Sequence, residues 1–337
     1  MSKLRFCLIG AGRAGMVDAR NYEFNIGQSE VVAVVDPNIE NAKTAAEELN
    51  ADFFQDLDDA LSKQEFEAVI IGAPTFAHAG AIIESAEAGK HIFTEKPLSI
   101  TVDEAEEIER ILDKNKVKLQ IGFMRRFDEN FLRAKELIEE GAIGRPILIK
   151  SVGRGPGLPP EWYADISKSN GLLAEVNSHD FDSIRWLIGS EFSEIYAVAD
   201  NFKVDEYREK YPDFYDTVAM TLKFENGVLG MVDGCCPATY GYDARVEILG
   251  TEGMLQIGSN KENSVLVWNK ERELVSDGTR SWRTLFKDAY LAEAEDFVDC
   301  ILNGKDPKVG IVDGKKAVEI VVAGNKSIKE KRPIKLN

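Results

Sequence analysis

Short runs of β-branched residues alternate with longer stretches of helical spacing in the first third of the chain. The predicted strands cover residues 3–9, 30–35, 68–71, 91–94 and 118–121. The predicted helices between them cover residues 13–25, 39–50, 76–89 and 102–115. Such alternation is typical of a parallel sheet with helices on both faces. Since crossovers between parallel strands are right-handed, we expect a doubly wound sheet.

The pattern changes after about residue 122. Helices are predicted at 128–141 and 172–189, with a strand at 147–152 between them. Strand patterns then follow one another without helices, at 194–201, 217–224, 228–233, 244–249, 254–257 and 264–268. A series of this kind predicts a mostly antiparallel sheet. Two more helices are predicted at 282–303 and 312–329.

These patterns predict an α/β protein of two domains. The first, residues 1–123, would hold the doubly wound parallel sheet, and the second, residues 124–337, would hold the antiparallel one. The boundary rests on the change of pattern, since no Gly/Ser-rich linker marks it. We leave open that the last helix packs back onto the first domain.

Composition narrows the class of protein. The 337 residues include 44% hydrophobic and 29% charged residues, which excludes a disordered or fibrous chain. The net charge of −17 argues against nucleic acid or anionic membrane as a partner. No apolar run approaches the roughly 18 residues of a membrane span, and residues 1–9 lack the shape of a signal peptide.

The four cysteines lack zinc-type or CxxC spacing, which fits a reducing compartment. They are Cys7, Cys235, Cys236 and Cys300. We interpret the adjacent pair as two strand residues rather than a redox centre. Together with the absence of targeting patterns, this predicts a cytoplasmic protein.

A glycine motif follows the first predicted strand and opens the first helix. It consists of Gly10, Ala11, Gly12, Arg13, Ala14 and Gly15. In this context the first glycine allows a tight turn, the second lets the backbone approach a pyrophosphate, and the third lets helix and strand pack closely. The free N–H groups of the helix N-terminus would receive the negative charge.

Asp36 follows the second predicted strand, where a carboxylate would accept hydrogen bonds from the ribose hydroxyls of a dinucleotide. The same carboxylate would repel a 2′-phosphate, so NAD is favoured over NADP. The alternative is a structural glycine turn that binds nothing, with Asp36 capping the next helix beside Pro37.

Glu95, Lys96 and Pro97 follow the fifth predicted strand, at the carboxyl edge of the sheet where ligands bind in open α/β folds. A lysine at that edge could orient a hydroxyl and stabilise developing alkoxide charge. Considered alone, a lysine such as Lys96 is more often a surface charge, so this role depends on the residues that accompany it.

His179 is one of only three histidines, and it lies in the predicted helix 172–189. Spacings of four and three residues would place Glu175, His179 and Asp182 on one helix face. A carboxylate one turn away can fix the imidazole tautomer and raise its basicity, as a general base near neutral pH requires. The alternative is a histidine in an acidic stretch that is either exposed or hydrogen-bonded within its own helix. No metal-ligand motif is present, so we expect no metal site.

These motifs, in this order, resemble the glucose–fructose oxidoreductase / inositol dehydrogenase / rhizopine-catabolism (Gfo/Idh/MocA) family. The resemblance rests on the glycine motif, the Glu95-Lys96-Pro97 sequence, the segment from Gly122 to Asp128 and the histidine helix. The segment around Tyr240, Tyr242 and Asp243 and the helix around Tyr290 further resemble the inositol 2-dehydrogenase branch. The similarity covers essentially the whole chain.

The resemblance implies a Rossmann domain, a second α/β domain with a large mostly antiparallel sheet, and dimers or tetramers paired across that sheet. It also implies reversible NAD(P)-linked oxidation of a secondary hydroxyl on a cyclitol or sugar. Lys96 and His179 match the catalytic lysine and histidine of the family. The positions that match substrate contacts are Arg125, Asp182, Tyr242 and Tyr290.

The resemblance also assigns residues on the nicotinamide side of the cofactor: Ala73, Pro74, Thr75 and His78. For His78 the alternative is a residue at the helix start that faces solvent. The chain departs from the family at two positions: Glu175 stands where members usually have aspartate, and Asn170-Gly171 where many have two glycines. Both departures bear on the substrate and, to a lesser degree, on the activity.

We therefore expect an NAD-dependent dehydrogenase of an inositol or related cyclic polyol, with His179 as general base and Lys96 hydrogen-bonded to the hydroxyl. Oxidation of a sugar or glucoside at the 3-position is the alternative within the family. The alternative of another class is a sensor that binds NAD(H) without turnover. We expect a homodimer or homotetramer.

Overall fold

The computed structural model describes residues 3–336, which fold into two compact units. The first unit holds the chain up to Phe127 together with Asp288–Val318. The second holds Asp128–Lys287 together with the chain from Glu319 onward. The expected N-terminal domain thus has a counterpart in the first unit, which also takes up a C-terminal segment.

The first unit contains a six-stranded parallel sheet, which confirms the doubly wound fold. Its strands are β1 (Leu4–Ile9), β2 (Ser29–Val35), β3 (Asp52–Phe54), β4 (Ala68–Ile71), β5 (His91–Thr94) and β6 (Leu119–Ile121). The strand order is β3-β2-β1-β4-β5-β6, the order of a Rossmann fold. The order reverses between β1 and β4, and the chain after these two strands is the place where such folds bind ligands.

Helices connect these strands. They are α1 (Arg13–Arg20), α2 (Ile39–Leu49), α3 (Leu57–Lys63), α4 (Thr75–Glu87) and α5 (Val102–Asn115). The expected helix at 13–25 ends at Arg20 and continues as a π-helical turn, Asn21–Asn25. The short elements β3 and α3 were not predicted, because three strand residues and seven helical residues give too weak a periodic signal.

An aromatic cluster fills the core on one side of this sheet. The ring centroids of Phe6 and Tyr22 lie 4.4 Å apart, and those of Phe93 and Phe297 lie 6.1 Å apart. All four side chains are fully buried. Phe297 belongs to a long C-terminal helix, so that helix completes the core of the first unit.

The second unit is built on a seven-stranded mixed sheet. Its strands are β7 (Pro146–Arg154), β8 (Phe192–Asp200), β9 (Thr217–Phe224), β10 (Leu229–Cys235), β11 (Val246–Gly250), β12 (Met254–Ile257) and β15 (Ile334–Lys335). Their order is β12-β11-β7-β10-β9-β8-β15. Only the central pair β7 and β10 is parallel, so the sheet is mostly antiparallel as expected. A separate hairpin pairs β13 (Val267–Trp268) with β14 (Leu274–Val275), so the expectation that 264–268 joins the large sheet was wrong.

The remaining helices, in chain order, include several short ones. They are α6 (Glu129–Glu139), α7 (Glu161–Ala164), α8 (Ile166–Ser169), α9 (Gly171–Glu175), α10 (Ser178–Ile188), α11 (Asp205–Arg208), α12 (Trp282–Leu285), α13 (Lys287–Leu302) and α14 (Ile311–Glu330). The expected helix 282–303 is therefore two helices, broken at Phe286.

The large sheet of the second unit is buried on one side only. Side chains on β8, β9 and β10 alternate between buried and exposed positions. Val218, Met220 and Leu222 lie on the buried side of β9. Val198 and Met231 point to the opposite side and are about half exposed. From residue 3 to residue 336, no helix has both the length and the apolarity to cross a membrane.

Candidate active site

The glycine motif forms a tight connection from β1 to α1 in the first unit. Gly10 has a φ of +90°, and a Cβ atom there would lie 2.6 Å from the backbone nitrogen of Ala73. A Cβ atom at Gly15 would overlap the carbonyl oxygen of Gly10. Both glycines are therefore required by close backbone packing, as the motif predicts.

Gly12 differs because the space beside it is open. A Cβ atom at Gly12 would meet only the carbonyl oxygen of Gly72, at 3.9 Å. Gly12 is the N-cap of α1, no side chain caps this helix end, and no acidic residue lies in its first turn. The N-terminal N–H groups of α1, together with open space beside them, provide room and charge for a pyrophosphate.

The carboxylate of Asp36 is held against this loop. One oxygen accepts a hydrogen bond from the backbone N–H of Ala11 at 2.9 Å, and the other accepts one from the N–H of Asn38 at 2.9 Å. Each oxygen keeps a second lone pair for a ribose hydroxyl. The glycine loop and Asp36 together fit the pyrophosphate and ribose of NAD.

Gly72 is a further glycine of this region that our reading of the sequence missed. A Cβ atom at Gly72 would overlap the Cα atom of Gly15. The position of Gly72 in the sequence could have identified it, since it directly follows β4. That strand lies next to β1, at the point where the strand order of the sheet reverses. The two glycines let the loops after β1 and β4 approach each other. Ala73, Pro74 and Thr75 continue the second of these loops into α4.

His78 of α4 is buried, so the alternative that it faces solvent is wrong. Its Nδ1 atom lies 2.6 Å from the carbonyl oxygen of Pro97, and its Nε2 atom lies 2.7 Å from that of Ala73. Burial lowers the pKa of His78 and the charge of Lys96 lowers it further, while the two carbonyl groups act in the opposite direction. The ring joins the loop after β4 to the loop after β5, and both ring nitrogens are engaged in doing so.

Lys96 is half-buried and follows β5, at the carboxyl edge of the sheet, as expected. Glu95 beside it is buried, and its carboxylate accepts a hydrogen bond from the backbone N–H of Lys96 at 3.2 Å.

Arg125 and Tyr290 also belong to the first unit, and both are buried. Arg125 lies in the 3₁₀ turn Met124–Phe127, and Tyr290 lies on α13.

Three of the buried carboxyl groups in the first unit interact through their charges, a cluster that the sequence did not reveal. They are Asp18, Glu95 and Glu293. Burial raises the pKa of Asp18 well above its usual range, and the charge and hydrogen bond of Glu95 raise it further. Burial likewise raises the pKa of Glu293, with contributions from Asp18 and Glu95. Within residues 3–336, neither carboxyl oxygen of Glu293 has a hydrogen-bond partner.

The second unit carries His179, Glu175, Asp182 and Tyr242. The expectation of one continuous helix over 172–189 was wrong, because α9 ends at Glu175 and α10 begins at Ser178. Val176 has φ −115° and ψ −57°, which departs from helical geometry. The spacing of four residues therefore does not place Glu175 on the same helix face as His179. The spacing of three between His179 and Asp182 does lie within α10 and keeps those two on neighbouring positions.

His179 and Asp182 are both buried, at 8% and 2% exposure. Tyr242 is 9% exposed, and its backbone N–H donates to the carbonyl oxygen of Thr279 at 2.8 Å. Its ring meets that of Phe286 edge-on, with centroids 6.4 Å apart. Packing therefore fixes the Tyr242 side chain from within the second unit. Among residues 3–336, no group of three or more His, Cys, Asp or Glu side chains has the geometry to hold a metal ion.

Comparison with known families decides the affiliation of the chain. The NAD-binding Rossmann fold of the Gfo/Idh/MocA oxidoreductase family matches residues 4–123. The C-terminal alpha/beta domain of the same family matches residues 135–336. The chain belongs to the Gfo/Idh/MocA oxidoreductase family. The resemblance inferred from the motifs is thereby confirmed, as is the Rossmann domain as an NAD-binding fold.

Members of the Gfo/Idh/MocA family that are similar to this chain include named inositol dehydrogenases. A myo-inositol 2-dehydrogenase of Thermotoga maritima is 33% identical, over 99% of this chain and 98% of the relative. A scyllo-inositol 2-dehydrogenase (NAD(+)) of Bacillus subtilis is 32% identical, over 99% and 97%. The crystal structure of a scyllo-inositol dehydrogenase from Lactobacillus casei with NAD(H) and scyllo-inositol is similar with a TM-score of 0.90, 28% identity and 99% coverage of both chains.

Proposed function

We propose that this oxidoreductase oxidises a secondary hydroxyl of an inositol, with NAD as the hydride acceptor. The observation that carries the proposal is the cofactor half of the site, where the glycine loop, Asp36 and Lys96 lie at the carboxyl edge of one Rossmann sheet. The similarity to named inositol 2-dehydrogenases over nearly the full chain supports the substrate class.

The proposed chemistry divides the reaction among this chain's own residues. Lys96 donates a hydrogen bond to the oxygen of the reacting hydroxyl and stabilises the charge that develops there. His179 accepts the proton of that hydroxyl as general base. The bound nicotinamide supplies the site that receives the hydride. Glu175, which is longer by one methylene than the aspartate usual in the family, orients the imidazole of His179 from the end of α9, across the break between α9 and α10 and not from the same helix face.

The remaining contacts suit a ring rich in hydroxyl groups. Arg125, Asp182, Tyr242 and Tyr290 offer hydrogen-bond donors and acceptors rather than a patch of one charge. A neutral polyol is held by such hydrogen bonds and not by ion pairing. All four side chains are buried, so each hydrogen bond to the substrate would be made away from competing water.

The cofactor preference follows from Asp36. Its carboxylate is already fixed by two backbone N–H groups and cannot move away from an incoming charge without losing them. A 2′-phosphate placed there would meet a held negative charge, so NAD binds in preference to NADP. The four free cysteine thiols, all buried, suit a reducing compartment, and we place the protein in the cytoplasm.

We also propose that two or more copies pair across the open face of the large sheet. On this face the exposed apolar side chains include Tyr196, Val198, Leu229 and Met231. Tyr196 of β8 and Met231 of β10 lie in register on either side of Thr221 of β9, so one small polar side chain separates the apolar side chains of the two strands. Sedimentation of the purified protein tests this point: we expect a dimer or tetramer that Val198→Glu dissociates, and a wild-type monomer would contradict it.

The function is tested by NADH formation with purified protein across inositol isomers, free hexoses and glucosides, first with NAD and then with NADP. We expect turnover with myo- or scyllo-inositol and NAD. Activity confined to a sugar or glucoside would keep the chemistry and overturn the substrate. NAD binding without turnover on any of these compounds would favour the sensor.

A further inference from the structure

Two glycines face each other on the central strands of the second unit. Gly153 of β7 and Gly234 of β10 are paired in the parallel register of these two strands. A Cβ atom at Gly153 would overlap the Asp180 carboxylate, and one at Gly234 would overlap the Asn177 side chain. The paired glycines therefore form a notch in the sheet, and side chains from the start of α10 fill it.

The side chains in this notch form a buried hydrogen-bonded chain. The hydroxyl of Ser151 donates to Oδ1 of Asp180 at 2.6 Å, and Nδ2 of Asn177 donates to Oδ2 of Asp180 at 2.8 Å. Nδ2 of Asn177 also lies 3.4 Å from the carbonyl oxygen of Asp233. Ser151, Asn177 and Asp180 are 2%, 0% and 0% exposed. Residues of two elements, the strand and the helix start, are thus tied together away from water.

Asn177 occupies the N-cap position of α10 but makes no side-chain capping bond to the helix. An asparagine at this position ordinarily accepts a hydrogen bond from a first-turn N–H group. Here the side chain is directed to the sheet instead. The local preference of the residue is overridden, which indicates that the tie to the sheet is the stronger interaction.

His179 lies between the two tied residues in sequence. Asn177 and Asp180 are three residues apart, so they project from about the same side of α10, while His179 projects from another. Because both side chains are held in the notch, they fix the distance between the helix start and the sheet. They also fix the rotation of the helix about its axis. At roughly 6 Å from the axis, a rotation of about 10° would displace the imidazole by about 1 Å.

We propose that Asp180, tied to Ser151 and Asn177 in the Gly153/Gly234 notch, is a positioning residue that sets the orientation of the His179 imidazole. Asp180 is fully buried, and in this proposal it acts through the helix rather than as a catalytic residue. The proposal rests on the proposed role of His179 as general base. A displacement of about 1 Å at such a group can lower the rate about a hundredfold.

The test uses two variants and a reciprocal rescue. Ser151→Ala removes one hydrogen bond, and Asp180→Asn replaces one of the two carboxylate acceptor oxygens by an N–H₂ group and removes the charge that strengthens both hydrogen bonds. The double variant Asn177→Asp/Asp180→Asn exchanges donor and acceptor and restores the pair. The matched control is Ser327→Ala, which removes a buried hydroxyl that ties a helix to the same sheet, through the N–H of Ala197 at 3.0 Å.

We expect kcat with an inositol to fall tenfold or more in Ser151→Ala and Asp180→Asn, with NAD affinity unchanged. The kcat of the double variant should recover to within about threefold of wild type. Ser327→Ala should keep its kcat even if its melting temperature falls as much as that of Ser151→Ala. An unchanged kcat in Asp180→Asn, or failure of the folded double variant to recover, would overturn the proposal.

A second readout separates this proposal from the proposed function. The chain has only 3 histidines, so the ring resonances of a histidine-labelled sample are few and can be assigned by substitution. We expect the His179 resonance to move in Ser151→Ala and in Asp180→Asn, and to return toward its wild-type position when Asn177→Asp is added to Asp180→Asn, while Ser327→Ala leaves it unchanged. If the wild type lacks turnover but the resonance behaves in this way, the proposed function fails and the positioning role stands. If turnover is present and the resonance does not move in Ser151→Ala, the positioning role fails.

Discussion

The Nδ1 atom of His78 lies 2.6 Å from the carbonyl oxygen of Pro97, and the other ring nitrogen lies 2.7 Å from the carbonyl oxygen of Ala73. One buried ring thus joins the loop after β4 to the loop that carries Lys96. A neutral imidazole has a single N–H, so it donates a hydrogen bond to only one of the two carbonyl groups at a time. A charged ring donates to both.

We predict that His78→Ala impairs both cofactor binding and turnover. The substitution leaves two buried carbonyl groups without their partner, which costs about 1–3 kcal/mol of folding free energy. It also releases both loops, so the dissociation constant of NAD should rise and kcat should fall. Titration of NAD and steady-state kinetics measure the two effects. The control is His91→Ala, since His91 is half-buried and its Nδ1 atom accepts only the N–H of Lys118 at 3.1 Å. Equal behaviour of the two variants would contradict the role assigned to His78.

We predict that Asp36→Asn narrows the preference for NAD over NADP. The asparagine keeps the size of the side chain but removes the negative charge and one of the two acceptor oxygens. The dissociation constant of NAD should rise about ten- to a hundredfold, since a hydrogen bond to a charged group contributes about 1.5–3 kcal/mol, and that of NADP should rise less or fall. Calorimetric titration with both cofactors provides the measurement. Glu40→Gln, an exposed acid in the first turn of α2, should leave both constants unchanged.

We predict that Gly72→Ala abolishes NAD binding at NAD concentrations that saturate the wild-type protein. Its methyl group would overlap the Cα atom of Gly15 and push the glycine loop away from the loop after β4. Overpacking of this kind costs about 1–3 kcal/mol. Gly80→Ala is the matched control, because a Cβ atom there meets nothing within 4 Å in helix α4. That change should stabilise the protein by about 0.4–1 kcal/mol. Thermal unfolding with and without NAD distinguishes the two, and retained NAD binding in Gly72→Ala would refute the packing argument.

We predict that Glu293→Gln stabilises the protein at alkaline pH. Burial raises the pKa of Glu293, so the native state holds a proton that the unfolded chain releases above its ordinary pKa of about 4.3. Native stability therefore falls as pH rises from the unfolded pKa toward the raised native one. Glutamine does not titrate, so this loss is removed, and the unfolding free energy of Glu293→Gln should fall less between pH 5 and pH 8 than that of the wild type.

Urea unfolding of both proteins at the two pH values measures this difference. Glu295→Gln is the matched control, because Glu295 is exposed on the same helix. The explanation fails if Glu293→Gln and Glu295→Gln show the same dependence of unfolding free energy on pH.

The local features of the fold could be predicted from the sequence. The strands at 68–71 and 91–94 and the helix at 102–115 have the expected bounds, because each is a short periodic segment with clear ends. The glycine motif was also local, since its function depends on the turn between one strand and one helix. Distant packing does not weaken signals of this kind.

The break between α9 and α10 could not be predicted. Helical spacing continues through Val176 and Asn177 without Gly or Pro, so periodicity indicates one helix. The break lies where the side chains of Asn177 and Asp180 enter the Gly153/Gly234 notch and Ser151 of the sheet donates to Asp180, which is a tertiary interaction. The burial of Asp18 and Glu293 was hidden for a similar reason, since an acidic residue in a helix ordinarily indicates the solvent-facing side.

The central claim is that a hydride passes from a ring carbon of an inositol to NAD. The most direct measurement uses myo- and scyllo-inositol with deuterium on every ring carbon, mixed with the protein and NAD, and follows the reduced cofactor by mass spectrometry. We expect NADH that carries one deuterium, formed more slowly than from the undeuterated compounds, and none with His179→Ala. Reduced cofactor without deuterium, or NAD that binds and stays oxidised with both isomers, would contradict the account.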